Sequence, residues 1–458
     1  MSKIIANGTI VTASETYAAD IRIDGERISH IGKGIAASPG DEVIDASGLL
    51  VMPGGIDAHT HLDLPVAGTR ASDDFETGTR AAAFGGTTTI IDFISPARGD
   101  GLMDSYGVWR GKAEGKACID YGLHMSVVDE RPEVFDELDD VIDAGMPTIK
   151  IYTAYPATLM ISDGAILRLL KWASKRGALV VAHAENGGAI DELTRSIAAQ
   201  GKTAPRFHLE ARPAVLEGEA TNRLIALAEA VDAPIGIVHV TCSEALDAIR
   251  RARRRGLDVF AETCPHYLYL SEESLKAPGF EGAKFICSPP LRTREDQKVL
   301  WHALAAGDLD TVATDHCPFH FRGQKELGLH DFRKIPGGLP GIETRLMLLW
   351  QGVRDGRITQ NRFVELVSTA PARINGLLPR KGILAPDADA DILLWDPERE
   401  VRLDADVLHM NVDYSPYEGM RIKGAPAKVF SRGELVVDGS RFLGTPGRGR
   451  YLKRIPTN

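Results

Sequence analysis

Hydrophobic and polar residues alternate along this chain in two distinct ways. Over the first fifty residues the period is two. KIIANGTIVTA, ADIRIDGERISHIG and EVIDASG read as short strands, and the turn pairs Asn7-Gly8 and Asp24-Gly25 suit hairpins. The same texture returns in ADADILLWDP from Ala388 and in AKVFSRGELVVDGSRFLG from Ala427, with a turn around Gly433. Two β-rich ends flanking a different middle predict one small sandwich built from both termini.

The middle reads differently. Short, nearly continuous apolar runs recur, as parallel strands buried on both faces require. They are LVMPGGID to Asp57, TTTIIDF to Phe93, YGLHMSVVD to Asp129, PTIKIY to Tyr152, ALVVAHAE to Glu185, PIGIVHV to Val240, LDVFAETC to Cys264 and DTVATDH to His316. Amphipathic segments such as AILRLLKWASKRG and EALDAIRRARRRG lie between them. Eight β–α alternations predict an α/β fold: a (β/α)8 TIM-like barrel over residues 54–378. Residues 1–53 would form the N-terminal part of the β-sandwich, and 379–458 its C-terminal part and a tail. An open doubly wound sheet competes with the barrel, but no Gly-x-Gly-x-x-Gly follows the first run, so a dinucleotide site has no support.

Composition narrows the partners. The chain has 458 residues, 63 acidic against 53 basic, for a net charge of −10. Such a surface does not attract nucleic acid or anionic membranes. A content of 44% hydrophobic and 25% charged residues excludes disorder as the main state. Cys118, Cys242, Cys264, Cys287 and Cys317 form no Cys-x-x-Cys pair and read as free thiols of a reducing compartment. The amino terminus does not read as a signal peptide and no apolar run reaches a membrane span, so a cytoplasmic location is expected. The Arg250–Arg255 cluster is expected to be a solvated helix face.

Candidate chemistry collects at the carboxyl ends of the predicted strands, where barrel enzymes place their sites. Residues two apart in an extended segment point the same way, so His59 and His61 can both face the barrel mouth. Lys150 lies in the fourth run, His183 ends the fifth, His239 the sixth and Asp315 the eighth. Imidazoles and a carboxylate suit Zn²⁺ and similar cations. Each residue alone has a plainer explanation. His-x-His occurs in turns, single histidines hydrogen-bond into cores, Asp315 can cap a following segment, and Lys150 can pair with Asp92 or Asp129. Six such side chains at corresponding strand ends favour one cavity. An ammonium repels cations, so Lys150 cannot be a ligand as it stands; carbamylated by CO₂ it would be an anionic bridge.

PGGIDAHTHLD, FGGTTTIIDF, KIYTAY, VVAHAEN, IVHVTC, ICSPPLR, VATDHCPF, IPGGLPGIETR and STAPARINGLLPRKGILAPDADADILLWDP together resemble the amidohydrolase superfamily. Within it the chain is similar to the dihydropyrimidinase and D-hydantoinase family, over nearly its whole length. The resemblance implies a homotetramer that hydrolyses the cyclic amide of dihydropyrimidines or 5-substituted hydantoins to N-carbamoyl amino acids. It implies two divalent metal ions, most simply Zn²⁺, bridged by N6-carboxylated Lys150 and by a hydroxide. His59, His61 and Asp315 would hold one ion, His183 and His239 the other. Tyr155 would stabilise the oxyanion, and Asp315 would serve as base and then acid. Ser288 and Gly337 would bind the substrate through the main chain. Many relatives have Asn where Gly337 stands, between Pro336 and Gly338. Leu64, Tyr152 and Leu159 would shape the pocket for the substrate's side group. His124, His266, His316 and His320 are expected to be structural, and the apolar residues of Tyr414–Met420 to be exposed at a subunit interface.

Rival readings remain. Dihydroorotases usually carry an arginine just after His-x-His to pair with a substrate carboxylate, whereas His61 is followed by Leu62-Asp63-Leu64. Allantoinase is closer. Single-metal deaminases share the histidines and the aspartate, but Lys150 favours two metals. A non-catalytic scaffold of the same fold would have lost ligands that this chain retains.

Overall fold

The computed structural model describes residues 2–457. Eight parallel strands form the central sheet: β1 (Gly55–Thr60), β2 (Thr87–Ile94), β3 (Asp120–Ser126), β4 (Thr148–Tyr152), β5 (Leu179–His183), β6 (Ile235–Ile237), β7 (Val259–Thr263) and β8 (Thr311–Val312). Each pairs with its neighbour in sequence order. A parallel bridge between Thr60 and His316 brings the last strand round to the first, which makes the sheet a nearly closed barrel. Helices cover its outside as the apolar spacing requires. The segment after β4 folds as Asp163–Arg176, started by the Ser162 hydroxyl, which accepts from the Ala165 amide, and stopped by Gly177 in the left-handed region (φ +67°).

The two chain ends do share a sheet. Its seven strands run in the order Arg441–Phe442, Glu434–Asp438, Arg421–Ser431, Ile392–Arg402, Leu50–Pro53, Thr9–Val11, Thr16–Ala18. A four-stranded sheet of Arg27–Gly32, Asp20–Asp24, Lys3–Ala6 and Glu42–Asp45 lies against it. Ile5, Ile21, Ile23 and Ile28 of the smaller sheet meet Ile10, Val51, Ile392, Leu394 and Phe430 of the larger in one apolar core. Sequence order differs from expectation in two places. The first run, LVMPGGID, is split: Leu50–Pro53 pairs with Ile392–Trp395 of the sandwich, and only from Gly55 does the chain enter the barrel. Asn7-Gly8 is no hairpin turn either, because Lys3–Ala6 and Thr9–Val11 belong to different sheets. A Cβ at Gly8 would stand 2.4 Å from Val51 Cγ2, so the crossing requires glycine. The other hairpins form, around Gly25 and around Arg432-Gly433.

Burial bears on two further readings and on the course of the tail. The arginine cluster is only partly solvated: Arg251, Arg254 and Arg255 are exposed, while Arg250 reaches Asp308 at 2.8 Å and Arg253 pairs with Asp310. Tyr414–Met420 is not an exposed apolar strip. Tyr414 and Tyr417 are turned inward, and the Tyr414 hydroxyl donates to the Lys284 carbonyl at 3.0 Å, so their rings are already covered within one chain. The tail also leaves the sandwich. Leu452 joins Ile56, Ala58 and Ile91 beneath the barrel, and the buried Arg454 guanidinium binds the Leu123 carbonyl and, at 3.2 Å, Thr148 Oγ1.

A buried ion cluster ties the sandwich to the barrel. Lys381 Nζ lies 2.7 Å from Asp120, 2.8 Å from Asp391 and 3.0 Å from Asp389, and Arg432 Nε adds a contact of 3.0 Å to Asp120. Asp120 opens β3, whereas Asp389 and Asp391 precede the sandwich strand at Ile392. Removing the ammonium would leave three buried carboxylates short of a partner. Lys381→Met is therefore expected to lower stability by about 3–5 kcal/mol, seen as a fall in the denaturant midpoint.

Candidate active site

The site grows from the carboxyl ends of the strands, and two buried aspartates set its geometry. Asp57, inside β1, accepts from Thr314 N at 3.1 Å and from Thr314 Oγ1 at 2.6 Å, which fixes the end of the first strand against the end of the last. Asp92, in β2, accepts from Thr60 Oγ1 and Leu62 N, both at 2.8 Å, and so holds the residues on either side of His61. Burial pushes the Asp92 carboxyl up to about 7, although these donors oppose the shift.

His59 and His61 both turn into the barrel mouth. Asp315 Oδ1 lies 3.2 Å from His59 Nε2 and 3.0 Å from His61 Nε2, and the three side chains can offer ligand atoms within 4.8 Å of one another. Beside them His183 Nδ1 stands 3.1 Å from His239 Nε2. The rings of His59 and His239, 5.5 Å apart, join the two groups. Lys150 is buried on the same floor, its Nζ 5.0 Å from the Phe93 ring against which His59 packs at 4.6 Å. It pairs with neither Asp92 nor Asp129. Asp92 is engaged as described, and Asp129 takes Arg131 and the Gly99 amide. Burial lowers the Lys150 ammonium to about 8, against the pull of Asp315 and Glu262.

Strand alternation does not aim all of these groups. β6 ends at Ile237 and β8 at Val312, both earlier than the apolar runs suggest, because His239 (φ +40°) and Asp315 (φ +49°) take left-handed backbone. Tyr155 (φ +64°) does the same after β4. Non-glycine residues seldom adopt this region, and such strain gathers where side-chain direction matters. His316 does point away from Asp315, bonding Asp73 at 3.0 Å and accepting from the Gly341 amide at 3.0 Å. His124 is likewise structural, with its Nε2 3.1 Å from the Ala58 carbonyl. His266 is buried against the Tyr267 ring, and His320 lies on a half-exposed loop 3.9 Å from Asp413.

Tyr155 stands over His183, with ring centroids 5.4 Å apart. Burial raises its phenol above the ordinary range, although Arg212 opposes this, so the hydroxyl keeps its proton. Ser288 is half-buried, its Oγ 3.4 Å from His208 Nε2. Gly337 is exposed, and a Cβ there would meet only Ile286 Cγ2 at 4.0 Å. Gly338 is the constrained glycine of the pair: at φ +145° its Cβ would sit 2.2 Å from the Cys317 carbonyl oxygen. Tyr152 is buried beside His183, at 5.9 Å between rings, while Leu64 packs under the short hairpin of Pro65–Val66 and Thr69–Arg70. Leu159 is half-buried in the turn after Tyr155.

Three functional side chains escape a reading of strand ends. Glu262 takes the Nδ1 of His59 at 2.7 Å, and Glu185 takes the Nε2 of His183 at 2.7 Å and Arg212 at 2.5 Å. The available signal was a carboxylate at each of two strand ends already in view, HAEN and AETC. These bonds settle whether a cation fits. The carboxylates behind His59 and His183 favour the proton on the nitrogen away from the cavity, leaving the other nitrogen to offer a lone pair; the Nδ1 atoms of His61 and His239 have no partner among the described residues. His59 Nε2 and an oxygen of Asp315 lie 3.2 Å apart, where a divalent cation could take the place of a proton shared between them. Burial favours the neutral imidazole that metal binding requires and lowers His61, His183 and, most strongly, His239. On His59 burial is outweighed by Asp315 and Glu262, which raise its pKa, while the two histidines overcome burial at Asp315 and keep it anionic. The donor set of imidazoles and one carboxylate suits a divalent ion such as zinc.

Known proteins share this sequence and fold. Residues 50–436 match the model of the amidohydrolase family. A D-hydantoinase of Ralstonia pickettii is 48% identical over 454 residues, 99% of either chain. The crystal structure of dihydropyrimidinase from Brevibacillus agri NCHU1002 superposes with a TM-score of 0.99 at 49% identity, covering 100% of both chains. An L-hydantoinase (dihydropyrimidinase) from Arthrobacter aurescens is more distant, with a TM-score of 0.88 at 28% identity over 98% of this chain and 99% of that one. With its barrel, its gathered strand-end histidines and relatives of this identity along its full length, the chain belongs to the amidohydrolase family, in the branch of the D-hydantoinases and dihydropyrimidinases.

Proposed function

We propose that this enzyme opens the ring of 5-substituted hydantoins and dihydropyrimidines by hydrolysing a cyclic amide bond, giving N-carbamoyl α- and β-amino acids. The observation that carries the reading is the convergence of His59, His61 and Asp315 with the His183–His239 pair above a buried Lys150 that pairs with no carboxylate among the described residues. His59, His61 and Asp315 would hold one divalent ion and His183 with His239 a second, with Lys150 carboxylated between them. The lowered pKa of Lys150 supports that modification, since only a neutral amine reacts with CO₂. When bound, two such ions would supply an activated water and polarise the scissile carbonyl.

The protein's own groups do the rest. Asp315, anionic and fixed by two imidazoles, accepts the proton of the attacking water and passes it to the departing ring nitrogen. Water thus adds its hydroxyl to the carbonyl carbon and its proton to the nitrogen as the C–N bond breaks. Tyr155 keeps its proton and donates to the developing oxyanion, the kind of contact worth about 2.7–4 kcal/mol of the barrier in acyl transfer. Ser288 and Gly337 hold the ring through their main chain. Glu262 and Glu185 keep His59 and His183 in the tautomers the ions need. Arg212 is committed to Glu185, so it is not free for a substrate carboxylate, which argues against a dihydroorotate-like substrate. The higher identity to relatives named for the D enantiomer than to the L-hydantoinase favours D-configured substrates. Zinc as the ion, a homotetramer and a cytoplasmic location complete the reading on the strength of the resemblance; no helix among the described residues is long and apolar enough to cross a membrane.

One preparation assayed with 5-substituted hydantoins, dihydrouracil and allantoin is expected to turn over the first two, and dominant allantoin hydrolysis overturns the assignment. Lys150→Ala should lose bound metal and turnover together. Full activity with two metals retained, by elemental analysis of the purified variant, would remove Lys150 from the site. Glu262→Gln should fold and bind metal about 10–100-fold more weakly, which competition with a chelator measures.

A further inference from the structure

Lys325 is a fully buried lysine outside the cluster described above. Its side chain has no measurable exposure and pairs with no carboxylate among the described residues. The ammonium donates instead to three main-chain carbonyls: Pro336 at 2.8 Å, Gly338 at 2.9 Å and Ile286 at 3.2 Å. A buried ammonium satisfied only by carbonyls is costly, so its location calls for a reason.

The carbonyls it takes, and those it leaves, supply one. Gly337 lies between Pro336 and Gly338, and both neighbours are occupied by Lys325. Ser288 follows Ile286, occupied by Lys325, and Cys287, whose carbonyl accepts from His208 Nε2 at 2.9 Å. After it comes Pro289, whose carbonyl accepts from the Tyr267 hydroxyl at 2.7 Å. Along 286–289 and 336–338 the carbonyls of Ser288 and Gly337 alone receive no hydrogen bond from the described residues. The two stretches are also bonded together, Gly338 N to Ile286 O at 2.9 Å. The adjacent Gln324 extends the hub: its amide nitrogen donates to Thr69 Oγ1 at 2.9 Å and to the Arg70 carbonyl at 2.7 Å, in the hairpin above Leu64.

We propose that Lys325 is a positioning residue for substrate binding, which clamps the Ser288 and Gly337 segments so that their two free carbonyls face the N–H groups of the cyclic imide. The proposal rests on the reading of Ser288 and Gly337 as the substrate's main-chain contacts. Lys325 touches neither substrate nor metal. Its loss should act on binding of the ring, while the reacting groups at the strand ends stay in place.

The test is steady-state kinetics of metal-loaded Lys325→Met and Lys325→Gln with a 5-substituted hydantoin, beside a crystal structure of the wild-type enzyme soaked with the N-carbamoyl product. Met removes all three donors at similar length; Gln retains two without the charge and decides the matter if the Met variant does not fold. The expected result is a KM raised about tenfold or more in Lys325→Met, less in Lys325→Gln, with kcat within about threefold of wild type and metal content unchanged. An unchanged KM overturns the proposal, and so does a loss of metal with kcat falling as far as kcat/KM, the mark of a merely structural role. The product complex separates the two layers. A product lying away from Ser288 and Gly337 overturns the binding reading itself, whereas a product at both carbonyls with an unchanged KM in the variants overturns the part of Lys325 alone.

Discussion

Everything at the mouth of this barrel depends on where a proton sits on each imidazole. Histidine offers a lone pair to a cation from only one of its nitrogens at a time, and the hydrogen bond at the other nitrogen decides which. Glu262 behind His59 and Glu185 behind His183 make that decision from opposite sides of the site. Both carboxylates are buried, where an unpaired charge would be expensive, and Arg212 answers the charge of Glu185. His59 and His183 are therefore presented in one orientation before any ligand arrives, and binding need not reorganise them.

The same economy of direction governs the backbone. A strand aims alternate residues at the barrel axis, which suffices for His59 and His61. It does not suffice for His239 and Asp315, where the chain leaves extended geometry to bring a particular side chain to the centre. The extra backbone strain is held by close packing and by the hydrogen bonds of Thr314 to Asp57. The barrel rim is thus shaped residue by residue, while its walls follow the regular rule.

The contrast explains how much could be read from sequence. The eight apolar runs and the β-rich ends announced the architecture, because period and run length record burial directly. His59, His61, Lys150, His183, His239 and Asp315 were legible as a group because a barrel converts positions at strand ends into neighbours. Glu185 and Glu262 were not, since a carboxylate two residues after a histidine, or near the end of a strand that carries no histidine, looks like ordinary surface charge until the fold supplies its partner. Lys325 lay further out of reach: its partners are carbonyls, which every residue possesses. The inward turn of Tyr414 was missed for a related reason, since its ring meets Phe321, more than 90 residues away, and its hydroxyl meets a carbonyl without a sequence signature. The split of LVMPGGID between two sheets depends on Ile392–Trp395, over 300 residues downstream.

That last pairing bears on how the chain comes off the ribosome. Leu50–Pro53 is made early, yet one of its two edges stays open until Ile392–Trp395 has been synthesised. At about 5–20 residues per second, an apolar strand waits for tens of seconds with unpaired amides and carbonyls, the condition under which chains join edge to edge. The barrel can assemble in the meantime, but its floor lacks Leu452 and Arg454 until the chain has grown past them. Completion of the barrel therefore waits on a segment made after both sheets of the sandwich.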